Sequence, residues 1–288
     1  MPGAQPSTII VNGEATAAIA VADRALQYGD GLFETIAVRN GRLCLWERHM
    51  ARLALGAERL GLPPPPEPLL RAEAATLAAG QANAVLKLIY SAGSGGRGYA
   101  RPQPASPSRI LQILPAPAYP PSHWRDGVAA RICDLRLAQQ PRLAGIKHLN
   151  RLEQVLARRE WNGAEFAEGL LLDQQDHVIE GTISNVFLVR GGRLRTPALD
   201  ACGVRGVMRD RVLELATELG LTAEEGTVTL ADLGEADEVF LTNSLIGVWP
   251  VVCLGSTRLR PGPVARALLT RLRAADECLL PVGDDGDA

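Results

Sequence analysis

Only two lysines occur in this 288-residue chain, Lys87 and Lys147, although lysine and arginine together account for 30 side chains. An amine differs from a guanidinium because it can lose its proton near neutral pH when it is desolvated, and it can then form a Schiff base with an aldehyde. A covalent role for a lysine therefore has two candidates. Lys147, in the run 143–154, is the first. Lys87 lies in a strand-like apolar run, 84–90, for which we favour a structural role.

Composition limits the classes of protein that fit the chain. With 47% hydrophobic residues it can bury a large core, and its length suits one or two domains. The formal net charge of −2 and the mixed charges argue against nucleic-acid and membrane partners. The first residues, 1–6, lack the pattern of a signal peptide, so we expect a cytoplasmic protein. The five cysteines are scattered, which favours neither disulfides nor a metal site.

Strand-like and helix-like patterns alternate along the whole chain. The segment 115–121 is rich in Pro, Ala and Tyr and can form little regular structure, so it marks a boundary. We therefore predict an α/β (or α+β) fold with an N-terminal lobe at 1–115, a linker at 116–124 and a C-terminal lobe at 125–288, the lobes meeting at a cleft. The pattern predicts helices at 48–60, 68–79, 150–161, 207–219 and 264–277, and strands at 8–11, 18–22, 85–90, 109–114, 128–133, 169–173, 183–190, 238–242 and 248–253.

A glycine-rich segment, 93–98, fits the spacing GxGxxG and follows a predicted strand. A dinucleotide-binding loop of this kind needs a helix to begin at once, because the pyrophosphate binds at the helix N-terminus. Here Pro102 and Pro104 follow and forbid a regular helix. We therefore expect a loop that runs close to a ligand, in which the guanidinium of Arg97 binds a carboxylate.

Several segments converge on a cofactor such as pyridoxal phosphate, which a lysine holds covalently. Such a cofactor needs a carboxylate near its pyridine nitrogen and an anion site for its phosphate. Glu180, between an apparent turn and a predicted strand, is a candidate for the carboxylate, and a surface glutamate is an equally open alternative. The glycine-led helix start at Val207 is a candidate anion site because its N–H groups are free. Arg52 is another, with a solvated arginine as the alternative.

Taken together, these segments resemble the fold type IV pyridoxal-phosphate enzymes, which include branched-chain aminotransferases, D-amino-acid aminotransferases and 4-amino-4-deoxychorismate lyases. The resemblance covers nearly the whole chain. Within the family, residues 94–99 and 143–154 look specifically like the aminodeoxychorismate lyases. The segments that carry the family resemblance are Asp23-Arg24-Ala25-Leu26-Gln27-Tyr28-Gly29-Asp30-Gly31-Leu32-Phe33-Glu34-Thr35, His49-Met50-Ala51-Arg52-Leu53, Val178-Ile179-Glu180-Gly181 and Asp237-Glu238-Val239-Phe240, together with the Lys147 run.

The resemblance implies a fold and a set of site residues. It implies a smaller N-terminal lobe, a larger C-terminal lobe, pyridoxal 5'-phosphate in the cleft, and a homodimer. Lys147 matches the lysine that holds the cofactor and then acts as acid and base, and Glu180 matches the carboxylate at the pyridine nitrogen. The other matches are Arg52, the amides of Val207 and Met208, and more loosely Ser244 at the phosphate, with Tyr28, Phe33, Thr35 and Arg97 toward the substrate.

The implied activity is elimination of pyruvate from 4-amino-4-deoxychorismate, which yields 4-aminobenzoate for folate biosynthesis. A D-amino-acid or branched-chain transaminase on the same fold is the nearest alternative, because it shares the first proton removal. A protein that binds pyridoxal phosphate as a carrier or regulator is the non-enzymatic alternative. A complete acid–base set of Lys147, Glu180 and an anion site argues against it.

Overall fold

A computed structural model describes residues 9–279. The chain divides into two compact units, a first unit of Met1–Pro117 with Ile146–Asn150 and a second unit of Ala118–Gly145 with Arg151–Ala288. The lobe boundaries expected from the sequence, with a linker at 116–124, stay a prediction. Residues 1–6 and the start of the predicted strand at 8–11 lie outside the described range.

The first unit is built on a six-stranded sheet with the order β2-β1-β6-β5-β3-β4, in which neighbouring strands are antiparallel. Helices α2 and α3 pack on this sheet. Helix α2 contacts β3, and α3 contacts β4, β5 and β6. The elements are β1 (Ile9–Val11), β2 (Glu14–Ala15), α1 (Arg24–Tyr28), β3 (Gly31–Arg39), β4 (Arg42–Leu43), α2 (Trp46–Leu60), α3 (Glu67–Ala78), β5 (Asn83–Ser91) and β6 (Ser108–Pro115).

Two sequence expectations in the first unit were wrong or incomplete. The hairpin does not return at 18–22 but at β2, because Asn12 and Gly13 both have positive φ (52° and 91°) and close a two-residue turn. Strand β3 was not predicted. Its buried and half-buried residues alternate from Leu32 to Thr35, but the buried positions include the charged Glu34, so the sequence shows no alternation of apolar and polar residues there.

The second unit is built on a nine-stranded mixed sheet with the order β12-β11-β10-β13-β14-β7-β8-β9, and β15 pairs with β14. Helices α6 and α8 pack on β13, and the stacked rings of Phe187 and Phe240 join β10 to β13 with centroids 5.1 Å apart. The elements are α4 (Ser122–Arg125), β7 (Val128–Leu137), α5 (Leu152–Arg158), β8 (Glu168–Asp173), β9 (Val178–Gly181), β10 (Asn185–Arg190), β11 (Arg193–Pro197), α6 (Val207–Glu218), β12 (Thr222–Gly226), α7 (Leu230–Gly234), β13 (Glu238–Asn243), β14 (Gly247–Leu254), β15 (Thr257–Arg258) and α8 (Pro263–Ala274).

Most predicted helices and strands agree with these elements to within a few residues. The helix expected at 150–161 is shorter, because the Asn150 amide donates to the Gly29 carbonyl (3.2 Å) and Arg151 has non-helical dihedrals. No helix begins between Gly93 and Ser108, as the prolines predicted. Within the described residues, no helix is both long and apolar enough to span a bilayer.

Candidate active site

The segment that carries Lys147 forms an extra edge of the first unit's sheet. The Phe33 N–H donates to the Lys147 carbonyl (2.9 Å), and the Leu149 N–H donates to the Gly31 carbonyl (3.0 Å). Strand β4 pairs with β3 only near its far end, at Val38, so this part of β3 has an edge that the segment takes. The main chain of Lys147 is therefore fixed by antiparallel pairing rather than left in an open loop.

The amine of Lys147 lies against an aromatic ring. Its Nζ is 4.4 Å from the centroid of Phe33, and the side chain is partly buried. The other lysine approaches the same ring, with Lys87 Nζ 5.7 Å from the centroid. Lys87 pairs with Thr35 across β5 and β3, so Phe33, Thr35 and Lys87 share one face of the sheet. Three residues predicted for the site, Lys147, Phe33 and Thr35, thus belong to the same part of the first unit.

Arg52 is held on the opposite face of β3 by a buried carboxylate. Its Nε donates to Glu34 Oε1 (2.9 Å) and its Nη2 to Glu34 Oε2 (2.5 Å), while His49 Nδ1 lies 2.6 Å from Glu34 Oε2. Burial on its own raises the pKa of Glu34, but Arg52 and His49 outweigh it and lower that pKa to about 2. Glu34 is therefore ionised at neutral pH and orients the guanidinium of Arg52.

His49 links this carboxylate to the lysine electrostatically. Burial lowers the pKa of His49, Glu34 works in the opposite direction, and the charges of Arg52 and Lys147 lower it further. The imidazole is therefore neutral near pH 7, and Nδ1 carries the proton that it donates to Glu34. The charge of Lys147 thus acts on His49, the imidazole that contacts Glu34.

Tyr28 and Arg97 lie elsewhere in the first unit. Tyr28 ends α1, and its ring is 5.6 Å from the ring of Tyr99 in the glycine-rich loop. Arg97 is exposed in that loop. The structure thus associates Tyr28 with the loop of Arg97, and it associates Phe33 and Thr35 with Lys147.

Glu180 is a buried residue of β9 in the second unit, 4% exposed, rather than a surface residue beside a turn. Its Oε2 accepts the Val204 N–H (2.8 Å), and Gln154 Nε2 lies 3.4 Å from its Oε1. Both oxygens are therefore held. Gly203, with φ +82°, precedes this amide, and a Cβ there would lie 2.7 Å from the side chain of Ile179. Only glycine fits the turn that presents the Val204 N–H.

The same loop leads into α6, where Val207 and Met208 were expected to bind an anion. Gly206 precedes the helix without a side-chain cap, and a Cβ on it would lie 2.0 Å from Asn185 Oδ1. Asn185 Nδ2 donates to the Val204 carbonyl (2.9 Å), so Asn185 packs against the helix start. Because Asn185 also pairs with Thr242, the turn that contains Ser244 lies at this end of the sheet.

The loop is also joined to the residue two positions before Lys147. The Gly145 N–H donates to the Gly203 carbonyl (2.9 Å), and the Arg205 N–H donates to the Gly145 carbonyl (3.0 Å). One loop, 203–206, therefore contacts Glu180, starts α6 and holds Gly145. The sequence had suggested these features separately.

The donor set suits pyridoxal phosphate. The amine of Lys147 lies over the ring of Phe33, and a primary amine is the group that forms a Schiff base with an aldehyde. Glu180 is a fixed buried carboxylate, and an α6 start without a side-chain cap offers backbone N–H groups to an anion. The assignment from the sequence of Arg52, Val207 and Met208 to the phosphate, Glu180 to the ring nitrogen and Lys147 to the aldehyde carbon stays a prediction.

The thiols do not offer a competing nucleophile near Glu180. Burial is the main cause that raises the pKa of Cys202 to about 12, and nearby acidic side chains including Asp173 and Glu180 add to it. The pKa of Cys133 is also raised to about 12, again chiefly by burial. Neither thiol forms the reactive thiolate at neutral pH.

Three residues that support the candidate site were not recognised in the sequence. Glu34 and His49 lie in the segments that carried the family resemblance, but nothing local showed that they pair. Gln154 also lay in the Lys147 run without a role. Glu34 and His49 are polar residues at positions that a strand and a helix turn toward the interior, whereas Gln154 is only partly buried and gave no such signal.

Comparison with known proteins identifies the family. The model for amino-transferase class IV matches residues 31–253. The chain belongs to the class IV aminotransferase family. An aminodeoxychorismate lyase from Vibrio harveyi is 40% identical over 241 residues, which are 84% of this chain and 89% of that protein. The crystal structure of 4-amino-4-deoxychorismate lyase from Pseudomonas aeruginosa has 50% identity and a TM-score of 0.89, and the match covers 92% of this chain and 98% of that one.

A second solved structure is similar at a lower sequence identity. A hypothetical aminotransferase from Mycobacterium tuberculosis, in its PLP-bound form, has 27% identity and a TM-score of 0.81, with 93% of this chain and 98% of that chain covered. These likenesses confirm the fold type IV architecture, and the class IV aminotransferase family confirms the expected pyridoxal-phosphate-dependent enzyme. The roles of individual residues stay predictions.

Proposed function

We propose that this chain is a 4-amino-4-deoxychorismate lyase that converts 4-amino-4-deoxychorismate into 4-aminobenzoate and pyruvate. The observation that carries the proposal is the position of Lys147, one of only two lysines, on the edge of β3 with its amine against Phe33. The names of the Vibrio harveyi and Pseudomonas aeruginosa relatives support the same activity. Because 4-aminobenzoate is a folate precursor, the proposal includes a place in folate biosynthesis.

Lys147 moves the proton in this reaction. Its Nζ removes the proton from the ring carbon that bears the substrate amine, and the C–O bond to the enolpyruvyl group breaks. The same Nζ then gives the proton to the departing enolpyruvyl carbon, which becomes the methyl group of pyruvate. The cofactor, when bound, supplies an electron-withdrawing ring that stabilises the negative charge on the deprotonated carbon. Aromatisation of the product makes the elimination strongly favourable.

The remaining residues bind and orient. Glu180 would hold a proton on the pyridine nitrogen, and its two oxygens are fixed by Val204 and Gln154. Arg97 binds a carboxylate of the dianionic substrate with its planar fork. Arg52, the amides of Val207 and Met208, and Ser244 would hold the phosphate, and Tyr28, Phe33 and Thr35 would line the substrate pocket.

The role of Lys147 is tested by tagging it. We expect the purified protein to be yellow and borohydride reduction to attach the cofactor mass to Lys147, as read by peptide mass mapping. Lys87→Arg is the matched control and keeps the tag. In Lys147→Ala the tag is lost and turnover falls by at least about a thousandfold. A tag that forms on Lys87 in the wild type would contradict the assignment.

The lyase and transaminase activities are separated by their need for an acceptor. We expect 4-aminobenzoate and pyruvate to form in equal amounts from 4-amino-4-deoxychorismate without any keto acid. A transaminase instead passes the amine to a keto acid and would turn over D-alanine with 2-oxoglutarate. A strict requirement for the keto acid would overturn the lyase proposal. Absence of multiple turnover with either substrate pair would favour the carrier alternative.

We propose further that the enzyme is a homodimer of the cytoplasm. Helix α5 exposes Leu152 (75%), Val155 (52%) and Leu156 (49%), which share one face because they lie three and four residues apart. An apolar face of this kind is typical of a surface that another molecule covers. All five cysteines are free, which suits a reducing compartment. Sedimentation of the wild type and of Leu156→Glu tests the dimer, and we expect the variant to shift toward monomer.

A further inference from the structure

Arg24 is a deeply buried arginine to which neither the family resemblance nor the proposed function gives a role. It is the first residue of α1, and its side chain is 3% exposed. Its guanidinium is directed at one segment, which we call the glycine loop and define as residues 94–100. It donates to the carbonyl oxygens of Gly98 (3.1 Å), Tyr99 (3.1 Å), Ala100 (3.3 Å) and Gly95 (3.5 Å).

The guanidinium is itself fixed on its other side. Arg24 Nε donates to Asp30 Oδ2 (2.8 Å), and the Tyr28 ring centroid lies 4.7 Å from its guanidinium carbon. Asp30 also accepts from Arg101 Nε (2.9 Å), and Arg101 in turn donates to the Leu60 carbonyl (2.6 Å). The anchor that holds the glycine loop therefore belongs to the body of the first unit.

Main-chain bonds join the start of the loop to the same region. The Arg24 N–H donates to the Gly93 carbonyl (2.9 Å), and the Gly95 N–H donates to the Ala22 carbonyl (3.3 Å). Asp23 caps α1 and accepts from Ser91 Oγ (2.9 Å) and Ser108 Oγ (2.7 Å), which lie on the two strands that flank the loop. The segment from Asp23 to Asp30 thus acts as a frame around the base of the loop.

The glycine-rich composition of the loop disfavours a single conformation. Gly95, Gly96 and Gly98 all have positive φ, and a chain rich in glycine loses much backbone entropy when it is ordered. The side chain of Arg97 is exposed, while the carbonyls that Arg24 binds lie on both sides of it in the chain. Arg24 therefore fixes the backbone around Arg97 and leaves its guanidinium accessible.

We propose that Arg24 is a positioning residue that fixes the glycine loop so that Arg97 binds a substrate carboxylate without first paying the entropy of ordering the loop. This inference rests on the proposed function for the identity of the substrate, but not for the order of the loop. An arginine suits the task because its planar fork reaches several carbonyls at once, which the single ammonium of a lysine does not. Preorganisation of this kind increases affinity by reducing the ordering that binding requires.

The order of the loop is tested by cleavage with trypsin under native conditions. Cleavage after Arg97 requires the loop to open locally, so its rate reports on the anchoring. We expect at least roughly fivefold faster cleavage after Arg97 in Arg24→Gln than in the wild type. Arg109→Gln is the matched control. Arg109 is a part-buried arginine of β6, a strand of the same sheet, and it pairs with Glu73 (2.9 Å). We expect the rate of cleavage after Arg97 to be unchanged in this variant. An unchanged rate in Arg24→Gln would overturn the proposal.

Kinetics with 4-amino-4-deoxychorismate test whether Arg24 acts through Arg97. We expect KM to rise roughly tenfold in Arg24→Gln, with kcat changed less than about twofold. We expect Arg97→Gln to raise KM at least as much, and the double variant to show no further rise, because the two residues serve one interaction. A purely structural role would instead raise KM by the same factor in both backgrounds, and that result would overturn the proposal.

A second variant at the same position separates the loss of the planar fork from a general loss of folding. Arg24→Lys keeps a positive charge beside Asp30, and we expect a KM and a cleavage rate between those of the wild type and Arg24→Gln. Values equal to those of the wild type would contradict the need for a fork. If the wild type did not turn over the substrate, the proposed function would fail, while the trypsin comparison would still decide whether Arg24 orders the loop.

Discussion

Two buried glutamates, one in each unit, are held in opposite ways. Glu34 in β3 faces charged or chargeable partners, Arg52 and His49. Glu168 in β8 faces only neutral donors. They are the N–H groups of Gly169 (2.9 Å), Thr182 (3.1 Å) and Ile183 (3.2 Å) and the hydroxyls of Thr182 (2.5 Å) and Ser184 (2.7 Å).

The two sets of partners show which part of the surrounding structure each carboxylate fixes. Glu34 fixes the direction of a cation, because both oxygens bind the fork of Arg52. Glu168 gathers donors from one short turn, 181–184, and so fixes the backbone that follows Glu180. A buried charge that is compensated by another charge orients a side chain, whereas one that is compensated by N–H and hydroxyl groups shapes the main chain.

The largest effect is expected when the charge of Glu34 is removed. We expect Glu34→Gln to lower the free energy of unfolding by about 3–5 kcal/mol, because it breaks a buried ion pair by removing the carboxylate that Arg52 and His49 both bind. We also expect roughly tenfold weaker binding of pyridoxal phosphate, since Arg52 loses its fixed orientation. Urea unfolding and a cofactor titration measure the two effects.

An exposed ion pair provides the control for this variant. Glu47, 78% exposed, pairs with Arg71 on the surface of the same unit. We expect Glu47→Gln to change neither measurement appreciably, because solvent screens such a pair. Equal losses in the two variants would mean that burial of Glu34 does not set the strength of its pairing.

The pH dependence of stability tests whether Glu34 acts through its charge. The pKa of Glu34 is lowered from 4.5 to about 2, so its contribution is present above pH 4.5 and is lost as the pH falls toward 2. We therefore expect the difference in unfolding free energy between the wild type and Glu34→Gln to shrink by about 2 kcal/mol from pH 6 to pH 3. Denaturant unfolding at several pH values gives this difference. A difference that stayed constant would show that the charge on Glu34 is not what stabilises the native state.

A smaller loss of stability than that of Glu34→Gln is expected for Glu168→Gln. The amide keeps one acceptor oxygen but opposes the hydroxyls of Thr182 and Ser184 with its own N–H groups, which costs about 2–3 kcal/mol of unfolding free energy. We expect faster amide hydrogen exchange at 181–184 and a small change in the absorbance of the bound cofactor. Glu224→Gln, in an exposed pair with Arg193, is the control. A loss as large as that of Glu34→Gln would remove the distinction between the two glutamates.

The sequence predicted the helices and strands better than it predicted which residues contact one another. The helices at 46–60 and 207–218 follow from apolar spacing and from glycine and proline at their ends, which are local signals. Strand β3 was missed because its buried face includes Glu34, a charged residue that breaks the alternation of apolar and polar positions. Glu180 was left open between a surface role and a functional one, because burial depends on what packs over β9.

What the sequence by itself determined is the chemistry of single groups and of short segments. Two lysines limit the choice of amine, and prolines after the glycine loop exclude a dinucleotide-binding helix. Only the tertiary structure decided which groups meet, such as Glu34 with Arg52, or Arg24 with carbonyls more than seventy positions away. The physical reason is that propensity and capping act over a few neighbouring residues, whereas desolvation and hydrogen bonding across the core depend on chain segments that only packing brings together.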